Sequence, residues 1–124
     1  MLILDSNALL WMLTNDRRLA ATARRRMERE RALAVSLATP WELWIKINLG
    51  RLPAPLEDIE TALTDRRITI LPITIDDARR STELPLHHGD PFDRMIIAQA
   101  LERNAPVMTS DTAFADYGVR VISI

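Results

Sequence analysis

The chain has no cysteine, three glycines and a single lysine, and aromatic residues make up only 5% of it. The first absence excludes disulfides, thiol nucleophiles and zinc–thiolate sites together, and it suits a reducing compartment. Few glycines and scattered prolines leave no low-complexity signature, and no internal repeat points to a solenoid. A membrane span is missing too. The apolar N-terminus "MLILDSNALLWML" lacks a basic leader and carries Asp5 and Asn7 inside the run, so it reads as buried core rather than as a signal peptide or anchor. A cytoplasmic protein without a membrane partner is the expectation. Charge of one sign is also lacking, with a formal net value of −1, yet fifteen of the sixteen basic residues are arginine and seven lie between Arg17 and Arg31. Any basic surface is therefore local.

What is present is an ordinary globular composition, 48% hydrophobic over 124 residues. That length buries about two-thirds of the unfolded chain's surface in one core, so residues 1–124 are predicted to form a single domain. Met1 to Leu4 reads as a strand buried on both faces, and "SNALLWML" as the helix after it. A surface helix is expected from Asp16 to Arg31, where Leu19, Ala20, Ala23 and Met27 recur at helical spacing. "ALAVS" is a second strand. "TPWELWIKINLGRL" is a helix with Pro40 at its first position, Gly50 at its end, and Thr39 and Glu42 as a capping box. Further helices are predicted over "PLEDIETALTDR", from Ile75 to Leu84, and from Pro91 to Arg103 under the cap of Asp90; "ITILPI", "PVMTS" and "VRVISI" supply strands, and "DTAFADYG" a short helix. Such alternation predicts a parallel, doubly wound α/β sheet with helices on both faces.

Four acids share one edge of that fold. Asp5 and Asp111 each follow a strand, while Glu42 and Asp93 fall in the first turn of a helix. Strand C-termini and the N-termini of the following helices lie together, where open sheets bind ligands. Helix dipoles ease one carboxylate apiece but cannot hold four together, so a cation is implied. An all-oxygen set fits Mg²⁺ or Mn²⁺ better than Zn²⁺, and it suits metal-assisted attack of water on a phosphodiester.

Each acid also has a structural reading. A carboxylate interrupting the apolar N-terminal run is costly to bury unless something pairs with it, which favours function for Asp5. Glu42 could serve a capping box and pair with Lys46. Asp111 and Asp90 are favoured N-cap residues, and capping is the better assignment for Asp90 alone. At the third helical position, Asp93 is favoured by the dipole without further reason.

The segments "LILDSNALLWML", "TPWELWIKINLGRL", "LPLHHGDPFDRMIIAQAL" and "VMTSDTAFADYGVRVI", in this order, resemble the PIN-domain ribonucleases of the VapC toxin type, in the branch with a "DPFDR" signature. The likeness runs over nearly the whole chain. It implies an α/β/α sandwich with a central parallel sheet and Mg²⁺- or Mn²⁺-dependent cleavage of RNA. A VapB-like antitoxin that blocks the site is implied as partner. By the same resemblance Asp5, Glu42, Asp93 and Asp111 match the acidic metal-binding quartet, and Asp90 the additional acid before the helix. Asn7 departs from the pattern, since a histidine is frequent there; it can still donate a hydrogen bond to a carboxylate.

Around the quartet, Ser6 and Ser110 could orient water or bond local backbone. Arg94 could hold phosphate, with an i,i+4 pair to Asp90 the more natural reading. Lys46 could orient Glu42 or meet RNA, and His88 could act as a general acid or metal ligand, with a simple loop histidine the more natural reading. The arginines from Arg17 to Arg31 could follow a phosphate backbone, but Glu28 and Glu30 interrupt them. Trp11, Trp41 and Trp44 suggest a homodimer face, with core packing as the alternative. A haloacid-dehalogenase-type phosphatase needs a second Asp where Asn7 stands. A receiver-type phospho-acceptor needs paired acids after the first strand and a late lysine, and neither is present. The remaining alternative is an inactive PIN-like module that binds RNA or protein.

Overall fold

Short apolar segments build the sheet because their side chains alternate between two cores. The computed structural model describes residues 1–55 and 57–124. Its strands are β1 (Leu2–Leu4), β2 (Leu33–Ser36), β3 (Thr69–Leu71), β4 (Val107–Thr109) and β5 (Val121–Ser123), paired in parallel in the order β3-β2-β1-β4-β5. The helices are α1 (Ser6–Leu13), α2 (Ala21–Arg29), α3 (Ala38–Asn48), α4 (Ile59–Asp65), α5 (Ile75–Glu83) and α6 (Pro91–Arg103), with a 3₁₀ helix over Thr112–Tyr117. Leu2, Leu4, Val35 and Met108 join residues of α1, α2, α3 and α4 in one core. Ile3, Ala34 and Val107 turn the other way, onto Ile96, Ile97 and Ala100 of α6 and onto Phe114. Period-two alternation thus turns each strand toward two cores, with β1 and β4 buried throughout and the edge strands β3 and β5 partly exposed, and the result is the expected α/β/α sandwich. No helix among the described residues is long and apolar enough to cross a membrane.

Three element boundaries differ from expectation. The helix from Asp16 to Arg31 contracts to α2, because Asp16 is engaged in the preceding turn: its carboxylate pairs with Arg18 at 2.8 Å and its carbonyl accepts from the Arg24 guanidinium at 2.9 Å. The helix expected over Pro55 to Arg66 starts at Ile59, capped by Asp58, whose carboxylate accepts from the Thr61 amide at 3.0 Å. Leu56, within that expected span, lies outside the described residues.

The third difference bears on the site. Helix α3 starts at Ala38, directly after β2, and Ser36 Oγ accepts from the Ala38 amide at 3.1 Å. Pro40 is therefore its third residue, and the Thr39–Glu42 capping box does not form. Thr39 Oγ1 is instead buried without a hydrogen-bond partner among the described residues. At the other end Gly50 behaves as expected, closing α3 at φ 71° with its amide on the Ile47 carbonyl at 3.0 Å.

Candidate active site

The chain winds outward from β1 toward β3 on one side and from β4 to β5 on the other, so the crevice opens where β1 meets β4. The Asp5 amide donates to the Met108 carbonyl at 3.1 Å, which ties the end of β1 to β4. One hydroxyl then links the two acid-bearing turns. Thr109 Oγ1, fully buried at the end of β4, donates to Asp5 Oδ2 and accepts from the Asp111 amide at 2.9 Å. Both acids also cap helices: Asp5 Oδ1 accepts from the Ala8 amide at 2.8 Å, and Asp111 Oδ1 from the Ala113 amide at 2.9 Å. Capping and a place in the crevice are thus compatible for each.

Because α3 begins early, Glu42 lies in its second turn rather than its first. The Ser6 hydroxyl donates to Glu42 Oε1 at 2.5 Å, joining α1 to α3, and Lys46 Nζ stands 3.6 Å from Oε2. Ser6 and Lys46 both serve Glu42. In α6 the Asp90 carboxylate caps the helix as expected, accepting from the Phe92 amide at 2.8 Å and the Asp93 amide at 3.3 Å, and Asp93 is the third helical residue.

The acids stand close enough to raise one another's carboxyls. Burial pushes the Asp93 carboxyl up to about 7, with the negative charges of Asp90, Glu42 and Asp5 adding and His88 opposing. Burial also raises Asp5, against hydrogen bonds from Thr109 and Ala8 and with help from Asp111 and Glu42. Among the described residues, Lys46 is the only lysine or arginine in ion-pair contact with Asp5, Glu42, Asp93 or Asp111. The arrangement is short of positive charge and offers carboxylate oxygens throughout, a donor set that fits a hard divalent cation.

His88 is the residue that sequence reasoning undervalued. Its Nε2 lies 2.8 Å from Asp111 Oδ2 and 3.0 Å from Asp93 Oδ2, and these three groups offer ligand atoms within 4.8 Å of one another. It is not a simple loop histidine. Tyr117 holds the loop that presents it: the phenol donates to the Pro85 carbonyl at 2.7 Å and accepts from the His87 and His88 amides at 3.0 and 2.8 Å. The pairing of Arg94 with Asp90 is replaced by a different role. Buried to 9% exposure, its guanidinium donates to the carbonyls of Ser81, Leu84, Pro85 and His88 at 2.8–3.1 Å.

The remaining residues take no such part. Asn7 and Ser110 are exposed, and no described hydrogen bond joins Asn7 to a carboxylate. Trp11 packs in the core, whereas Trp41 is 52% exposed with its ring edge-on to Phe92 at 5.1 Å. In the arginine-rich segment, Arg26 pairs with Glu30 at 2.7 Å and Arg18 lies 4.8 Å over the Trp11 ring.

No curated protein matches the chain. Solved structures of similar fold include DNA-bound VapBC from Salmonella typhimurium, 20% identical with a TM-score of 0.73 and covering 98% of this chain and 96% of that one. The VapC20 toxin of Mycobacterium tuberculosis, which cleaves the sarcin-ricin loop, is 15% identical with a TM-score of 0.71, covering 96% of each chain. A toxin-antitoxin complex from Klebsiella pneumoniae is 22% identical with a TM-score of 0.68, covering 98% of this chain and 96% of that one. The PIN domain matches residues 2–119, the span that holds β1 to β4 and every acid of the crevice, and the chain belongs to the PIN domain family.

Proposed function

We propose that this protein is a Mg²⁺- or Mn²⁺-dependent endoribonuclease and the toxin of a toxin-antitoxin pair. The observation that carries the reading is the crevice between β1 and β4, where Asp5, Glu42, Asp93 and Asp111 stand with a single lysine among them. The four acids would hold the cation, with Asp90 and His88 beside them. When bound, such an ion stabilises developing charge on a phosphate and makes hydroxide available near neutral pH. The chain's own residues prepare that chemistry. Thr109 and the Ala8 amide fix both oxygens of Asp5, Ser6 and Lys46 hold Glu42, and the Ala113 amide and His88 hold Asp111. Ligand carboxylates held by donors in this way need little reorganisation on binding.

Similar folds occur in toxin-antitoxin complexes and in a toxin that cleaves the sarcin-ricin loop, which supports a nucleic-acid substrate, here taken as RNA, and a VapB-like antitoxin as partner. A homodimer is part of the proposal. Leu37, Trp41, Trp44, Ile45 and Leu49 are exposed along one face at the helical spacing of α3, an apolar stripe suited to a second copy. The test of the reaction is cleavage of a structured RNA with Mg²⁺, Mn²⁺ or EDTA. Activity is expected with either ion and is expected to cease with chelator; undiminished cleavage in excess EDTA would overturn the mechanism.

A further inference from the structure

The structure assigns His88 the role of a hydrogen-bond donor locked in one tautomer, a positioning residue for Asp93 and Asp111 rather than a metal ligand. The inference rests on the proposed metal-dependent reading of the site. Proximity alone suggests the opposite, because Nε2 lies close enough to both carboxylates for the three groups to share one ion. The other ring nitrogen decides. The Asp90 amide donates to His88 Nδ1 at 3.1 Å, so Nδ1 presents its lone pair and the neutral ring carries its proton on Nε2. That proton points at Asp111 Oδ2 and Asp93 Oδ2. To ligate through Nε2, the ring would have to move its proton to Nδ1, where it would face the N–H of Asp90. Two donors would then oppose each other in a part-buried turn.

The surroundings leave the ring little freedom to escape this choice. Asp90 cannot turn its amide away without disturbing the start of α6, since its own carboxylate caps that helix and its carbonyl accepts from the Arg94 amide at 3.0 Å. The His88 amide is held by Tyr117, and the His88 carbonyl accepts from Arg94 at 3.0 Å. Phe114 sets its ring edge-on to the imidazole, with centroids 6.3 Å apart. Every polar atom of His88 thus has a named partner. What the arrangement provides is one N–H that orients two carboxylates from outside the ligand set, the part that outer-shell donors play around metal-binding acids.

Three measurements on the full chain test this. Nitrogen-15 NMR of the metal-free protein, at a pH where free imidazole is neutral, is expected to show a pyrrole-type Nε2 and a pyridine-type Nδ1 for His88. Pulsed EPR of the Mn²⁺-loaded protein is expected to show no directly coordinated nitrogen. By calorimetry, His88→Ala should weaken Mg²⁺ and Mn²⁺ binding alike, by about tenfold or more, with the preference between the ions unchanged. His88→Gln, which restores an N–H donor, should recover part of the loss and serves alone if the alanine variant fails to fold. A reversed or doubly protonated nitrogen pattern, coordinated nitrogen on Mn²⁺, selective loss of Mn²⁺ affinity, or parent affinity in His88→Ala would each overturn the inference. A wild-type chain that binds neither ion overturns the proposed function and the orienting role with it; the metal-free nitrogen spectrum tells that failure from failure of the tautomer.

Discussion

Two charged regions lie side by side at the start of α6, and the chain treats them in opposite ways. Among the described residues Arg94 has no carboxylate partner, yet its buried guanidinium is satisfied by carbonyls that converge on it from α5 and the loop after it. Asp93, one residue earlier, is partly buried among like charges and pushed up to about 7. The Arg94 region is closed and complete, while around Asp93, among the described residues, Lys46 is the only lysine or arginine in ion-pair contact with the acids. Neighbouring residues of one helix turn thus separate a charge satisfied by backbone carbonyls from a carboxylate surrounded by other acids. The difference lies in the backbone: a loop can wrap its carbonyls around a cation, whereas the strand ends and helix starts around Asp93 bring further acids.

Exchanging one group in each region should have opposite consequences. Asp93→Asn removes a carboxylate from the crevice, and ribonuclease activity should fall on the order of a thousandfold, about 4 kcal/mol of barrier. Its metal-free melting temperature should stay level or rise as repulsion is relieved. Arg94→Ala leaves several carbonyls without their donor and should lose on the order of 3 kcal/mol of stability or more, read as a lower urea midpoint. Arg94→Lys should recover little, because a point charge cannot reach carbonyls arranged around a planar fork. An Arg94→Ala protein with parent stability would break the comparison.

A smaller effect sharpens it through pH. Asp93 has its folded value raised, so between the ordinary carboxylate range and about 7 the folded chain holds a proton that the unfolded chain releases. Stability contributed by the neutral form is full at low pH and is lost as pH rises through 7. From pH 5 to 8 the metal-free protein should lose on the order of 2 kcal/mol, at about 1.4 kcal/mol per pKa unit with a discount for partial exposure. Urea midpoints with EDTA would show the slope. Asp93→Asn should shrink it to the part that the raised Asp5 carboxyl still supplies, and Mg²⁺ should flatten it by favouring the ionised carboxylates.

Much of this was legible in the sequence, for identifiable reasons. Strands of three or four residues stood out because apolar runs ended in an acid or a hydroxyl, and the fold follows from their alternation with helices. The places of Asp5 and Asp111 followed from those boundaries, since a residue just past a parallel strand faces the crevice whatever its neighbours; Asp93 was placed by the start of its helix, and Glu42 one turn too early. Thr39–Glu42 misled because a capping box is a local pattern, and nothing in "SLATPWE" says that the turn is helical from Ala38. His88 was illegible for a different reason. Its partner Asp111 is 23 residues away, and the loop conformation that joins them depends on Tyr117 and Arg94, neither of which carries a local signal for it. A hydroxyl at the end of β4 could have drawn attention to Thr109, since a buried threonine beside an acid-bearing turn needs a partner.

The smallest predicted effect concerns the residue that joins both regions. Asp90 caps α6 with its carboxylate, adds negative charge beside Asp93, and offers its amide to His88 and its carbonyl to the Arg94 amide. Asp90→Ala removes only the side chain. The lost cap should lower stability by about 1 kcal/mol, and the loss of a neighbouring charge should bring the Asp93 carboxyl down from its raised value. Measurable ribonuclease activity should persist, because the backbone contacts to His88 and Arg94 remain and the four principal acids are intact. Asp90→Asn separates the two contributions: its side-chain oxygen still accepts from Phe92 and Asp93, so stability should be nearly restored, while the Asp93 titration should stay lowered as in the alanine variant. If Asp90→Ala abolished cleavage with its fold intact and Asp90→Asn did the same, the carboxylate of Asp90 would belong with the acids that hold the cation, and the boundary between structural and reactive charge would lie three residues earlier in the chain.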